Sequence, residues 1–487
     1  MTINFNEIPY DWRVPGTYVE VRPNYVRRGL IPFPAKGILI VQKLAAGTAV
    51  PGQKYEITRP EDGTALFGAG SVGQQMVRAF KKANKTNQVF AIALADDGTG
   101  VKATKTLTFS GSGAGTISIY IQNRRVRYKA TSGMTPTQHA TAAAAAVNAD
   151  ADMSVVAAAA AAVVTLTAKH AGEVGNHIDV RTRKTAEDVL PGTLAIAIAD
   201  GTAGSGNPDI QDALDAIVND WFTDFVVAWD DAANLEILQG ELATRFTAMG
   251  KKDGRAFAGS RGTYGQLGTK GALTNTQLIT MIGAKRAYDA PWEWAANAGG
   301  IAIFHLTNDP ARQLRSLELP GLTAPDEIDC FTETERDLLL RQGISTWTRT
   351  VDGRVVLERV ITTYKQTNLG VADDAWLDIT IPATMTRIRY DWSAYVTQVY
   401  PRHKLADDDS VAANNNDAVA TQRRLHGSWG ARCKLYERQA WIEKASETVG
   451  RSVFERDASN RNRVNSQQPV IVIGNLMNLM SALEFEV

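Results

Sequence analysis

Residues 332–363 read TETERDLLLRQGISTWTRTVDGRVVLERVITT, and this stretch predicts a helix followed by a β-hairpin. Thr332 and Glu335 have the spacing of a capping box, which satisfies the free amides at the start of a helix. Gly343 then provides the left-handed residue on which helices commonly end. The first element of the stretch is therefore a short helix with defined ends.

The hairpin and a second helix follow. Two runs rich in β-branched residues, Ile344–Thr350 and Arg354–Thr363, are joined through Asp352-Gly353, a strong tight-turn signal. Pro382 fits the first turn of the next helix, and Pro401 ends it. One face of that helix is apolar, as expected of a face turned to a core: Met385, Ile388, Trp392, Val396 and Val399.

Four short motifs in and around this stretch carry a family resemblance. They are LPGL at Leu319–Leu322, ERVITTY at Glu358–Tyr364, LDIT at Leu377–Thr380 and YPRHKLADD at Tyr400–Asp408. The chain resembles the tail sheath proteins of contractile-tailed phages, especially the Mu-like branch, and the likeness extends more weakly over nearly its whole length.

The resemblance implies a structural subunit and not an enzyme. Sheath subunits would form hexameric rings stacked helically around a tail tube, and contraction would drive that tube through the bacterial envelope. The implied partners are other copies of the chain, the tail tube protein, and the baseplate and tail terminator proteins. The implied location is the virion tail.

Length and composition agree with a large protein that associates with itself. The 487 residues are too many for one ordinary core, so two or three domains are expected. Lys+Arg and Asp+Glu both total 52, so the formal net charge is zero. Direct nucleic-acid binding would favour a basic excess, whereas neutrality permits close self-association.

Other sequence features indicate assembly in a host cytoplasm. Cys330 and Cys433 are the only cysteines and are expected to be reduced thiols. No apolar run approaches the ~20 residues that span a bilayer, so no stable membrane insertion is expected. The N-terminus lacks the basic and apolar regions of a secretion signal.

Composition changes along the chain predict an α/β core interrupted by an insertion. The core would comprise residues 35–95 and 207–465, and the Gly-, Thr- and Ala-rich stretch 96–206 would be an inserted β-rich domain. The resemblance places such an insertion on the outside of the assembly. Residues 1–34 and 466–487 would be extended terminal arms.

The first part of the core has a strand–helix–strand order. Strands Ala35–Gln42 and Val89–Leu94 enclose a helix after Ser71, which predicts a parallel pair with a crossover.

Several further elements are predicted later in the chain. Asn207-Pro208 would cap a helix, and Thr276–Ala284 and Ala418–Ser446 would be helical. Ser410–Asp417 is expected to be a polar loop, and Asn460–Gln468 a polar linker.

Both ends of the chain carry alternating patterns typical of strands. Residues Thr17–Val21 show the side-chain alternation of a strand and are flanked by prolines on both sides. This pattern indicates either an extended arm or an edge strand packed on its own domain. At the other end, three apolar residues alternate with Glu484 and Glu486. Strand addition to a neighbouring copy would use these residues. The predicted inter-subunit contacts are Tyr18, Val19, Val21, Leu483, Phe485 and Val487.

No motif predicts catalysis, a cofactor or a metal. The glycine pair Gly47 and Gly52 has phosphate-loop spacing, but Gln53 stands where lysine is needed. His170 and His177 lie in a Gly-rich loop without a recognised metal spacing.

Three alternatives remain open from the sequence. The first is the sheath of a phage-tail-like bacteriocin, which neighbouring capsid genes would exclude. The second is a hydrolase using His403 and Asp407–Asp409. The third is a surface-layer or adhesin-type module, which would need export.

Overall fold

The computed structural model describes residues 13–19, 29–184 and 187–485, apart from the side chain of Asn414. Its internal contacts divide the chain into two units. The smaller unit comprises Met1–Phe33 and Ile388–Ile471, and the larger comprises Pro34–Arg387 and Val472–Val487. None of the helices within the described ranges combines the length and apolar character that crossing a membrane requires.

The larger unit contains a mixed sheet to which the described residues contribute eight strands. Six neighbouring strands are parallel, and the outermost strand on each side is antiparallel to its neighbour. In spatial order the strands are β15 (Val355–Arg359), β14 (Ile344–Arg349), β13 (Ile279–Ala284), β12 (Arg255–Arg261), β11 (Asp224–Val227), β1 (Lys36–Gln42), β3 (Gln88–Leu94) and β2 (Lys54–Glu56).

Helices connect most of these strands, which makes this part of the chain an α/β fold. The central one is α7, in which most residues of 291–308 are buried and which contacts β11, β12 and β13. The helices are α1 (Asp62–Phe67), α2 (Val72–Ala83), α4 (Gln211–Ala216), α5 (Ala232–Phe246), α6 (Tyr264–Gly271), α7 (Pro291–Asn308) and α8 (Glu333–Arg341).

The parallel pair predicted for the first part of the core is confirmed. Strands β1 and β3 pair in parallel, from Lys36 opposite Gln88 to Gln42 opposite Leu94. Helix α2 begins after Ser71, whose hydroxyl accepts a hydrogen bond from the amide of Gln74 at 3.0 Å.

The helix and hairpin predicted from residues 332–363 are also confirmed. Thr332 caps α8, with its hydroxyl accepting from the Glu335 amide and the Glu335 carboxylate accepting from the Thr332 amide. Gly343 has a φ of 81°, as a left-handed helix stop requires. Strands β14 and β15 pair in antiparallel fashion across Gly353, although β15 ends at Arg359 and not at Thr363.

The predicted helix at Thr276–Ala284 is wrong. Residues 279–284 form the interior strand β13, and all six are buried. A short apolar run has the same composition in a buried strand and in a buried helix, so its pattern does not distinguish the two. The neighbouring strands β12 and β14 determine the outcome here.

The predicted cap at Asn207 is also wrong. Helix α4 begins only after Ile210, which has no side-chain cap. Asn207 instead accepts from the amide of Glu173 and donates to Asp231, both at 2.8 Å. Its side chain therefore fixes two other loops.

The described residues of 104–200 form two smaller sheets, an α-helix and a short 3-10 helix (Glu173–His177), with a hydrophobic core of their own. One sheet has the order β10, β4, β8, β7, and the other β6, β5, β9. The elements are β4 (Thr104–Ser110), β5 (Gly115–Ile121), β6 (Arg124–Ala130), α3 (Pro136–Asn148), β7 (Val155–Ala160), β8 (Val163–Ala168), β9 (Val180–Arg181) and β10 (Ala195–Asp200).

The smaller unit is built from helices and short strand pairs. The boundary between the units falls within α9 (Thr380–Val399), between Arg387 and Ile388. The remaining elements are β16 (Lys404–Leu405), α10 (Val411–Asn415), β17 (Val419–Ala420), α11 (Gln422–Arg438), α12 (Ala445–Arg451), β18 (Val453–Arg456) and β19 (Val464–Gln467).

Three predictions for this region need correction. The single helix at 418–446 is divided into β17 and α11, and the chain after α11 turns through the left-handed residues Ala440 and Lys444. Ser410–Asp417 contains the short helix α10, capped by the Ser410 hydroxyl. Asn460–Gln468 is not a linker, because it contains strand β19.

Candidate assembly site

The predicted contact residues near the N-terminus lie on a segment without regular secondary structure. None of residues 13–19 is in a strand. Val19 is 81% exposed and Tyr18 is 44% exposed, with the Tyr18 hydroxyl donating to the carbonyl oxygen of Val14. Val21 lies outside the described residues.

The predicted C-terminal contacts are also exposed. Leu483 and Phe485 are 96% and 86% exposed, and Val487 lies outside the described residues. Residues 473–485 form no strand, so the segment predicted to be a strand is not paired within the described chain.

Two side chains hold part of the C-terminal segment within the larger unit. Gln313 donates to the carbonyl oxygen of Leu476 at 3.1 Å, and Arg315 donates to that of Met477 at 2.9 Å. The side chains of Leu476, Leu479 and Met480 remain largely exposed. The attachment therefore uses backbone oxygens and leaves the apolar side chains in contact with solvent.

A buried polar cluster in the smaller unit holds the last part of the N-terminal segment, at Gly29 and Ile31. Asp391 on α9 accepts a hydrogen bond from the amide of Ile31 at 2.9 Å. Arg432 on α11 donates to the carbonyl oxygen of Gly29 at 3.2 Å. The Phe33 ring packs edge-on against Tyr390, with 5.3 Å between centroids. We call Asp391 and Arg432 the arm clamp.

The arm clamp is an ion pair with almost no exposure. Arg432 donates through Nε to Asp391 at 2.9 Å, and the Tyr436 hydroxyl donates to the same carboxylate at 2.7 Å. Asp391 is fully buried and Arg432 is 1% exposed. Burial alone would lower the pKa of Arg432, but the Asp391 carboxylate outweighs it and the pKa is raised. Arg432 is therefore charged in the folded state.

Sequence reasoning missed the arm clamp. Asp391 lies three residues after Ile388 and one before Trp392, within the apolar face predicted for that helix. A carboxylate on such a face needs a buried partner. The position of Asp391 on the apolar face was therefore the sequence signal for a buried ion pair. The partner, Arg432, lies 41 positions away in the sequence and cannot be identified from spacing.

Strands β18 and β19 form a two-stranded hairpin with open edges. Val453 pairs with Gln467 and Arg456 with Val464. Within the described residues neither strand pairs with a third. On one face the Phe454 ring lies 6.3 Å from that of Trp392, so this face packs on helix α9. Two strands alone are marginally stable, and further strands would extend the packed face.

Residues of the chain itself pack beside the point where the strand order reverses, which is the usual ligand position of α/β proteins. They contact the carboxyl ends of β1 and β3. Gln42 donates to the carbonyl oxygen of Ala171 at 2.8 Å, and Asp96 accepts from the Ala171 amide at 2.8 Å. His170 Nδ1 contacts Asp96 at 2.7 Å. Residues returning from 104–168 therefore occupy this position.

The glycine pair with phosphate-loop spacing also has a packing role. A Cβ added at Gly47 would lie 2.4 Å from the carbonyl oxygen of Leu66, so this glycine permits close backbone packing. Among the described residues, no group of three or more His, Cys, Asp or Glu side chains is arranged to hold a metal ion.

Comparison with known proteins identifies the family. The chain is 30% identical over 467 residues to the Mu-like prophage FluMu tail sheath protein of Haemophilus influenzae, covering 96% of each chain. The chain belongs to the phage tail sheath protein family. Residues 203–363 also match the family described as phage tail sheath protein central domain.

Solved structures show the same fold. The helical sheath of the anti-feeding prophage in its contracted state matches with a TM-score of 0.51 and 11% identity, covering 97% of this chain and 99% of that one. The baseplate structure of the same prophage matches with a TM-score of 0.50 and 11% identity, covering 98% and 99%.

Family membership determines the class of function. This tail sheath protein is a structural subunit of a contractile tail and not an enzyme. The hydrolase alternative based on His403 and Asp407–Asp409 is therefore wrong, and Asp407 instead pairs with Arg456 at 3.1 Å.

Proposed function

We propose that this sheath subunit polymerises by lending its terminal arms to neighbouring copies, whose β18–β19 hairpins accept them. The observation that carries the proposal is the combination of exposed, strand-patterned ends with a hairpin whose edges are unpaired in the described chain. An added strand gains main-chain hydrogen bonds along such an edge. Donor and acceptor surfaces differ, so the contact is heterologous and repeats into a helix of subunits.

The arms are long enough to reach another copy. From the arm clamp at Gly29 to Tyr18 the chain spans up to about 36 Å when extended. The C-terminal arm leaves the smaller unit at Ile471, whose carbonyl oxygen accepts from the Glu443 amide at 3.0 Å. The larger unit holds it again at Met477, and from there to Leu483 the chain spans up to about 20 Å when extended.

The side-chain pattern of the C-terminal arm fits the hairpin. On an added strand Leu483, Phe485 and Val487 would share one face. That face would extend the side on which Phe454 packs against α9, while Glu484 and Glu486 would face solvent. Adding a third strand would therefore bury apolar surface that is exposed in the single chain.

The arms would keep neighbouring subunits joined during contraction. Hexameric rings would stack helically around a tail tube protein, between a baseplate and a tail terminator. The extended sheath would be kinetically trapped, and its release would repack subunits as rigid bodies. Assembly would take place in the host cytoplasm. Residues 96–206 would lie on the outside, with 35–95 and 207–465 forming the core between arms 1–34 and 466–487.

Deleting Ala482–Val487 tests the proposal. The expected product is a folded, monodisperse subunit that forms no tubes in negative-stain images. Two substitution variants sharpen the result. Leu483→Ser with Phe485→Ser should abolish tubes, whereas the matched control Glu484→Ser should not. Normal tubes from the deletion variant would end the proposal.

A further inference from the structure

An amine, a carboxamide and a carboxylic acid meet in the larger unit. The Lys184 amine donates to Oδ1 of Asn123. Nδ2 of Asn123 donates to Asp289 Oδ1 and to Thr323 Oγ1, each at 2.8 Å. Because the carboxamide nitrogen has two acceptors and its oxygen faces a donor, these contacts fix the orientation of the carboxamide. The amine lies on its oxygen side and the acid on its nitrogen side.

The spacing places the amine within reach of the carboxamide carbon. A carbonyl bond is about 1.2 Å long, so a hydrogen bond from Nζ to Oδ1 places Nζ within about 4 Å of that carbon. Near-attack geometry requires about 3–3.5 Å, so a small shift of the Lys184 side chain from the oxygen to the carbon brings the reacting atoms together. Asn123 is held in the β5–β6 turn with a φ of 65°, and Asp289 is 4% exposed. Asn123 and Asp289 are thus positioned by the fold of the larger unit.

The surroundings favour the uncharged forms of both titratable groups. Burial lowers the pKa of Lys184, which increases the share of nucleophilic amine. Burial also raises the pKa of Asp289 to about 6, where a carboxyl can exchange protons near neutral pH. The rings of Tyr288 and Tyr120 lie 5.0 and 6.0 Å from the Lys184 nitrogen.

We propose that Lys184 and Asn123 join in an intramolecular isopeptide bond, with Asp289 transferring the proton. The Lys184 amine attacks the carboxamide carbon, and a new C–N bond forms. Protonated Asp289 gives its proton to Nδ2 of Asn123, which it already contacts, and takes up in its place the proton released by the attacking nitrogen. The original C–N bond breaks, and Nδ2 leaves as ammonia. One amine and one primary amide thus become one secondary amide and ammonia, without any oxidant or reductant.

The bond would strengthen the chain where its two small sheets meet the segment after β9. Asn123 follows β5 and Lys184 follows β9, so the bond would close a covalent loop around α3 and β6 to β9. A crosslink stabilises chiefly by restricting the unfolded chain. The inference concerns one subunit and goes beyond the proposed assembly mechanism.

Mass spectrometry of the purified full-length chain tests the proposal. The denatured protein should be lighter than its sequence mass by one ammonia molecule. Tandem spectra of a protease digest should contain a branched peptide linking Asn123 to Lys184. A succinimide at Asn123 has the same mass loss without a branch, so its detection in place of the branched peptide would overturn the proposal. The unmodified sequence mass would overturn it too.

Variants test the roles of the individual groups. Lys184→Arg and Asp289→Asn should each keep the sequence mass expected for the variant. Lys169 is also half-buried, and it donates to backbone carbonyl oxygens. The matched control Lys169→Arg should therefore keep the branched peptide. A branched peptide in Asp289→Asn would refute the proton-transfer role. If a variant does not fold, the spectrum of the unaltered chain alone decides whether the bond exists.

Discussion

At the scale of single residues, the arm clamp is where the largest effect on stability is expected. Asp391→Ala leaves the Arg432 guanidinium buried without its carboxylate. Removing one partner of a buried pair costs about 3–5 kcal/mol because the remaining charge is uncompensated. The free energy of unfolding, measured by urea titration of the unassembled subunit, should fall by that amount.

An exposed ion pair provides the control for the arm clamp. Glu447 and Arg451 are 3.5 Å apart on α12, and about half of each side chain is exposed. Glu447→Ala should change the free energy of unfolding by less than about 1 kcal/mol, since solvent screens the pair. Equal effects of the two substitutions would contradict a special role for Asp391.

Glu293 on α7 should make stability depend on pH. Burial, followed by the nearby charge of Asp289, raises the pKa of Glu293 from 4.5 to about 8. The folded state therefore holds a proton that the unfolded state releases, and stability should fall as pH rises from about 4.5 to about 8.

Glu293→Gln isolates this effect. The variant should flatten the pH dependence of urea unfolding and exceed the original chain in stability above pH ~8. The exposed residue Glu236 offers a control, and Glu236→Gln should leave the curve unchanged. A Glu293→Gln curve that still falls over this range would assign the dependence to other groups.

At the scale of elements, the capping box of α8 makes a smaller and local contribution. Thr332→Ala removes the hydroxyl that accepts from the Glu335 amide. The expected loss in unfolding free energy is about 1 kcal/mol. Thr334→Ala, in the exposed first turn of the same helix, should cause no such loss. A loss as large from Thr334→Ala would mean that the cap is not the cause.

Elements were predictable from the sequence where local chemistry specifies them. The capping residue Thr332 and the turn at Gly353 act within a few positions, so α8 and the β14–β15 hairpin were predicted correctly. Strand β13 was not, because only its neighbours in the sheet distinguish it from a helix. The break after α11 depends on left-handed conformations at Ala440 and Lys444, neither of which is a glycine.

The assembly site was predictable in part. Alternation at the chain ends is a local pattern, and it selected Val19, Leu483 and Phe485, all of which are exposed. The hairpin β18–β19 was not predicted, because β19 has three polar residues after Val464 and no apolar alternation, and its stretch was predicted to be a polar linker. The arm clamp joins residues from three distant segments, and no local pattern encodes such a contact.

At the scale of the whole molecule, strand exchange predicts that contacts form between copies and not within one. One chain would carry Leu483→Cys, and a second would carry Ser466→Cys or Val453→Cys on the hairpin. Both would carry Cys330→Ser, which removes the partly exposed native thiol. Cys433 would be kept because it is fully buried. Disulfides form only when the two Cα atoms lie within about 7 Å. Oxidised mixed tubes should therefore give a dimer on a non-reducing gel, and tubes of either chain alone should not.

The alternation of the arm makes this experiment specific to register. Moving the arm cysteine through positions 482–485 should give dimers at alternate positions, because successive side chains point to opposite faces of a strand. A loosely bound arm would instead crosslink equally at every position. Tubes that form normally but give no dimer from any combination would show that the lattice is held by surfaces other than the hairpin.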